Sequence, residues 1–89
     1  MTMKTKEGFR LRAIGTDHVL TPDGLVDFNR MIAMNSSAAY LWEKVEGTEF
    51  DAATLAELLV AEYGIDMERA MQDSIKIAKD WIDAGIAQE

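Results

Sequence analysis

The change from strand-like to helix-like patterning lies in residues Val26–Gly47, VDFNRMIAMNSSAAYLWEKVEG. Its first half carries apolar residues of one parity, which is typical of a β-strand. These are Val26, Phe28, Ile32 and Met34. Asn35 then offers a good helix N-cap, and apolar residues follow at helical spacing. These are Ala38, Leu41, Trp42 and Val45. The segment therefore predicts a strand that leads directly into a helix, which Gly47 ends.

Two further strands are predicted before this segment. Residues 8–15, GFRLRAIG, alternate apolar and polar side chains, and His18–Thr21 is a short β-prone run. Pro22-Asp23-Gly24 is a strong turn signal. The third strand, Leu25–Met34, is apolar on both parities in its second half, which a hairpin with one buried face would not need. Residues 1–7 are polar and are expected to be flexible.

Two further helices are predicted after it. Asp51 is the expected N-cap of the second helix, which Gly64 ends, and Asp66 is the expected N-cap of the third and longest helix, which Gly85 ends. The 89 residues form one domain, since a chain of this length is too short for two cores. We predict an α+β fold of the winged helix-turn-helix type, with a three-stranded antiparallel sheet followed by three helices.

Composition excludes several classes of function. Nine Lys and Arg against sixteen Asp and Glu give a net charge of −7, which disfavours nucleic acids and anionic membrane surfaces. The chain has no cysteine, so it has neither disulfides nor thiolate metal sites. No apolar run approaches the length of a membrane span, and no signal peptide is seen, so we expect a cytoplasmic protein.

Few residues suit catalysis. His18 is the single histidine, so a two-histidine metal site is impossible, and it is best interpreted as a solvent-facing strand residue. Ser36 and Ser37 begin a helix and lack the surroundings of a nucleophile. The six glycines are dispersed as stops and turns and form no phosphate loop. We predict no catalytic residue, no metal and no cofactor.

Two features suggest a binding surface. Ile77 lies off the main apolar stripe of the third helix, and Met31–Met34 is apolar on both faces. Each has an ordinary explanation, because single exposed isoleucines are common and a strand can be covered on both sides. Together they would form a sheet edge beside a partly apolar helix, where an extended peptide could add as a further strand.

The order and spacing of motifs along the chain resemble the PqqD family, named for pyrroloquinoline quinone biosynthesis protein D. The resemblance covers about Gly8 to Ile86. The motifs are Met34-Asn35, Ala38-Ala39 with Leu41-Trp42, Glu46-Gly47, Leu55–Tyr63, and Asp66 to Gly85-Ile86. Asp73 matches the acidic residue early in the family's last helix. Three positions depart from the family pattern: Arg30 replaces a small residue, Met34 replaces a leucine and Ser74 replaces an aliphatic residue.

The resemblance implies a winged helix-turn-helix chaperone, also called a RiPP recognition element. Such a domain binds the leader of a ribosomally made precursor peptide and presents it to a modifying enzyme, often a radical S-adenosylmethionine enzyme. The leader adds to the third strand and packs against the third helix. On this chain, the implied strand residues are Asn29, Arg30, Met31, Ile32, Ala33 and Met34. The implied helix residues are Arg69, Asp73, Lys76, Ile77 and Asp80. The pyrroloquinoline quinone pathway itself is not implied, because many members serve other peptides.

Two other functions remain open at the level of sequence. Winged helix-turn-helix domains commonly read DNA, although the third helix here is acidic overall. The chain could instead be a structural subunit of an enzyme complex. The protein is expected to be a monomer or a homodimer, since an uncovered third strand could also pair with a second copy.

Overall fold

The structure is a computed structural model that describes residues 2–15, 17–22 and 32–89. Its elements in chain order are β1 (Met3–Thr5), β2 (Phe9–Ile14), β3 (Asp17–Pro22), β4 (Ile32–Met34), α1 (Ser36–Val45), β5 (Glu49–Phe50), α2 (Ala52–Tyr63), α3 (Met67–Asp83) and β6 (Ala87–Gln88). The predicted α+β class, with an antiparallel three-stranded sheet and three helices, is confirmed.

The main sheet has the strand order β2-β3-β4. β2 and β3 form an antiparallel hairpin from the Phe9–Pro22 pair to the Ile14–Asp17 pair. Gly15, at the turn, has a φ of 64°, a left-handed conformation that glycine adopts without strain. β4 pairs antiparallel with β3 and corresponds to the end of the predicted third strand. The rest of that predicted strand, residues 25–31, and the turn residues Asp23 and Gly24 lie outside the described residues.

A second sheet was not predicted. Its order is β5-β1-β6, with β1 pairing antiparallel to both neighbours. The expectation that residues 1–7 are flexible is therefore wrong for β1, whose Met3 and Thr5 are buried. The Thr5 hydroxyl oxygen accepts a hydrogen bond from the Gly47 N–H at 3.0 Å, and the Lys6 N–H donates to the Ile86 carbonyl at 2.8 Å. These bonds join segments far apart in sequence.

The three predicted N-caps are confirmed, because each side chain accepts a hydrogen bond from the backbone N–H three residues later. The acceptor and donor residues are Asn35 and Ala38 at 2.8 Å, Asp51 and Thr54 at 2.8 Å, and Asp66 and Arg69 at 2.9 Å. α2 ends at Gly64, whose φ of 67° closes the helix in the left-handed conformation.

The core is centred on two tryptophans from different helices. Trp42 of α1 and Trp81 of α3 are buried and meet edge to face, with ring centroids 5.3 Å apart. Phe50 of β5 contacts Trp81 in the same manner at 5.9 Å. Such edge-to-face pairs contribute about 0.5–1.5 kcal/mol each beyond the burial of their area. These contacts attach α3 to α1 and to the second sheet.

The inner side of α3 is a stripe of small residues that ends in a large one. Ala70, Ser74, Ala78 and Trp81 are its buried residues. The Ser74 side chain is fully buried, yet its hydroxyl has no hydrogen-bond partner within the described part of the chain. A buried hydroxyl without a partner retains the cost of leaving water, so Ser74 weakens this stripe.

We predict that Ser74→Ala stabilises the protein. The substitution removes the unpaired hydroxyl with almost no change of shape and improves helix propensity, so the free energy of unfolding should rise by about 1 kcal/mol. Thermal unfolding followed by circular dichroism should show a melting temperature about 4–8 °C higher. A melting temperature that is unchanged or lowered would mean that the hydroxyl has a partner in solution.

Hydrogen bonds at the cap of α2 shift the titration of its capping carboxyl group. The pKa of the Asp51 carboxyl group lies below its ordinary value of 3.8, first because the Thr54 N–H donates to it and next because the Thr54 hydroxyl does. These donors favour the ionised form, so the cap is strongest when Asp51 is charged.

We predict that this cap makes stability depend on acid pH. Because the folded pKa is depressed, the contribution of Asp51 is complete above its unfolded value of 3.8 and is lost as the pH falls through the folded pKa. Asp51→Asn keeps a capping oxygen but does not titrate in this range. Urea unfolding of both proteins from about pH 6 to about pH 2 gives their free energies of unfolding, and the difference between the two proteins should change only at the acid end. A difference in the free energy of unfolding that stays constant over the whole pH range would contradict the prediction.

Candidate functional site

A groove of about 720 Å³ opens between α3, the end of α2 and the beginning of α1. We call it the α3 groove. Its lining residues are Asn35, Ser36, Ser37, Leu59, Tyr63, Ile65, Arg69, Asp73, Lys76, Ile77 and Asp80. One wall is therefore the side of α3 next to its buried stripe, and the apolar residues of α2 and the following loop face that wall.

All five residues implied on the third helix line this groove. Arg69, Asp73, Lys76 and Asp80 are exposed, whereas Ile77 is half-buried and packs against the core. They share one side of α3 because they recur at spacings of three and four residues. The structure thus brings this part of the expected site together.

The implied strand residues fall into two groups. Ile32, Ala33 and Met34 form β4, where Ile32 is half-buried, Ala33 is exposed and Met34 is buried. Asn29, Arg30 and Met31 lie outside the described residues. β4 is followed directly by Asn35, which lines the groove and caps α1. One end of the strand is therefore beside the groove.

β4 is an edge of the main sheet. In the part of the chain that the structure describes, β3 is the single strand that pairs with it. Backbone N–H and C=O groups on the other side of an edge strand are available for pairing with another chain. A strand edge and an adjoining groove are the two surfaces that an added peptide strand needs.

The groove combines an apolar floor with a charged rim. Leu59 is buried and Ile65 and Ile77 are half-buried, whereas Tyr63 is 47% exposed. On the rim, the Arg69 Nε lies 3.8 Å from the Asp73 Oδ2, an exposed pair that contributes little to stability. The floor can bury apolar side chains of a ligand, and the rim can contact its charged ones.

Over residues 2–15, 17–22 and 32–89, no three or more His, Cys, Asp or Glu side chains are placed to hold a metal ion. His18 is half-buried in β3 and does not line the groove. Among the same residues, no helix has both the length and the apolar character needed to cross a membrane.

Comparison with known proteins supports the resemblance found in the sequence. Residues 18–87 match the family described as coenzyme PQQ synthesis protein D (PqqD). The chain belongs to the PqqD family. The fold is similar to that of a solved structure of "TbiB1 in Complex with the TbiA(beta) Leader Peptide", with a TM-score of 0.72 and 14% sequence identity. The similarity covers 96% of this chain and 94% of that one. No curated protein sequence is significantly similar to the chain.

Two of the three positions that depart from the PqqD-family pattern lie among the described residues. Met34 is 7% exposed and occupies the core side of β4, a place where methionine can substitute for leucine. Ser74 lies in the buried stripe of α3, where an aliphatic residue would leave no hydroxyl unpaired. Both changes are therefore inside the protein and not on the groove surface. Arg30 lies outside the described residues.

Sequence reasoning missed half of the groove of this PqqD-family protein. Tyr63 was not assigned to the site, but it is 47% exposed, lines the groove and meets Tyr40 edge to face with ring centroids 6.0 Å apart. Leu59, Ile65 and the residues at the beginning of α1 were not assigned to the site. The available signal was the Tyr63-Gly64-Ile65 sequence, in which two large apolar residues flank a helix-ending glycine.

Proposed function

We propose that this chain is a non-catalytic domain that recognises the leader of a ribosomally synthesised precursor peptide. The leader adds as a strand to β4, lies in the α3 groove and is presented to a modifying enzyme such as a radical S-adenosylmethionine enzyme. The observation that supports this most is the edge strand β4 adjoining a groove with an apolar floor. Membership of the PqqD family and the fold shared with a protein solved with a leader peptide support the same proposal.

The α3 groove and the edge of β4 can supply the free energy needed to bind a peptide with micromolar affinity. Micromolar binding corresponds to about −8 kcal/mol. Main-chain hydrogen bonds to a short edge strand supply part of it, and burial of apolar side chains against Ile77, Ile65 and Tyr63 supplies the rest. Affinity of this order allows a leader to be held during modification and released afterwards.

The distribution of charge on α3 disfavours the DNA-binding alternative. The exposed residues of the helix include Glu68, Asp73, Asp80 and Asp83 against Arg69, Lys76 and Lys79. A helix in the major groove lies close to phosphates and gains affinity from cationic side chains. A gel shift with duplex DNA that weakens steeply with salt would favour a regulator, and co-purification with an enzyme that needs no peptide would favour a structural subunit.

We predict that Ile77→Asp weakens leader binding at least about tenfold, because a carboxylate in the groove floor must lose water when the peptide is bound. The probe is a fluorescently labelled synthetic peptide that is selected for binding to the wild-type protein from a random display library, and the measurement is fluorescence anisotropy. Ile75→Asp is the matched control, since Ile75 lies on the same helix but is 56% exposed and does not line the groove. Equal effects of the two substitutions would count against the α3 groove.

We also predict that strand addition protects alternate backbone amides of β4. In an antiparallel pair, successive residues point their N–H groups alternately toward the partner strand and away from it. With the leader bound, the amides of Ile32–Met34 that point away from β3 should exchange with solvent more slowly, and those that point toward β3 should change little. Hydrogen exchange followed by NMR measures this. Protection confined to α3 would mean that the peptide binds without joining the sheet.

A further inference from the structure

Two opposite charges on the rim of the α3 groove have no ion-pair partner among the residues that the structure describes. Lys76 and Asp80 are exposed, line the groove and make no ion pair with any described residue within 4.0 Å. Arg69 and Asp73, earlier in the helix, are 3.8 Å apart and offset one another's charge. The unpaired charges therefore lie at the end of the groove farther from Tyr63 and Ile65, in the order positive then negative along α3.

The spacing of these two charges matches that of an extended peptide. Residues four apart on a helix are separated by about 6.0 Å along its axis. Residues two apart on a strand are separated by about 6.6 Å and point to the same side. The groove wall from Arg69 to Asp80 is about 16 Å long by the same helical rise, which is room for about five extended residues.

We propose that Lys76 and Asp80 select leaders that carry an acidic and a basic residue two positions apart. The acidic residue lies at Lys76 and the basic residue at Asp80. This inference rests on the proposed function and adds to it the charge pattern of the peptide. Strand pairing with β4 fixes the direction of the peptide, so one order of acid and base is accepted and the reverse order places like charges together.

Lys76 and Asp80 select the order of charged residues along the peptide and not the net charge of the peptide. The chain as a whole has a charge of −7, which attracts any basic peptide over a distance that shrinks as salt is added. Lys76 and Asp80 sum to zero, so they leave that general attraction unchanged. Their effect is local and depends on which residue of the peptide stands opposite each of them.

The test selects binding peptides from a random display library, first with the wild-type protein and then with the variant K76E/D80K. Wild-type protein should enrich an acid and a base two residues apart, and the variant should enrich the same pair in reversed order. A peptide selected on wild-type protein should bind the variant about tenfold more weakly, since two attractive contacts become repulsive. The loss should shrink at high salt.

The matched control is K79E/D83K, which reverses a Lys and an Asp at the same spacing on α3. Both residues are exposed and neither lines the groove, and the net charge is unchanged. This variant should enrich the wild-type order. Two results would overturn this inference and leave the proposed function standing, provided that the selected peptides lose affinity with Ile77→Asp. One is that the peptides show no preferred order of acid and base. The other is that K76E/D80K and K79E/D83K enrich the same order of charges. Peptides that bind Ile77→Asp as well as wild type overturn the proposed function and this inference with it.

Discussion

The rotation of α3 about its axis is set by the burial of Trp81 against Trp42 and Phe50, and the candidate site depends on it. The small residues that precede Trp81 on the same stripe let the helix lie close to the core. Once this side is buried, geometry places every other residue of the helix. Ile77 comes to the edge of the core, where a groove opens, and Ile75 comes to the solvent. A rotation of one residue position would replace the groove wall with a different set of side chains.

The second sheet supports the same arrangement from the opposite end of α3. β6 follows this helix closely and pairs with β1, which also pairs with β5 after α1. Three strands of two or three residues are weak alone, since each makes few hydrogen bonds. They are stable here because Met3 and Ala87 are buried in the core formed by the helices. The short sheet therefore holds the ends of the chain, while the longer sheet carries the edge strand β4 that adjoins the groove.

Prediction from sequence succeeded where the physical cause is local. Asn35, Asp51 and Asp66 cap their helices through hydrogen bonds that span three residues. The start of each helix can therefore be predicted from a few adjacent residues. The five residues of α3 that line the groove could be chosen because the resemblance to the PqqD family assigned a role to that side of the helix. The contribution of the α2 end to the groove was not predicted. The partial exposure of Tyr63 depends on which elements pack near it, and a local sequence pattern does not contain that information.

By itself, the sequence determined the α+β class, the order of the main-sheet strands and the three helices, the helix boundaries and an acidic chain without thiols, since these follow from periodicity, capping and composition. Tertiary structure alone decided that β1 joins a second sheet, that Tyr63 and Ile65 face the wall of α3, and that Lys76 and Asp80 lie on its rim without an ion pair to any described residue. The physical reason is that these features depend on the packing of the whole core. Met3 pairs with Phe50, which is far from it in sequence, and the surroundings of Tyr63 depend on how α2, α3 and α1 pack together.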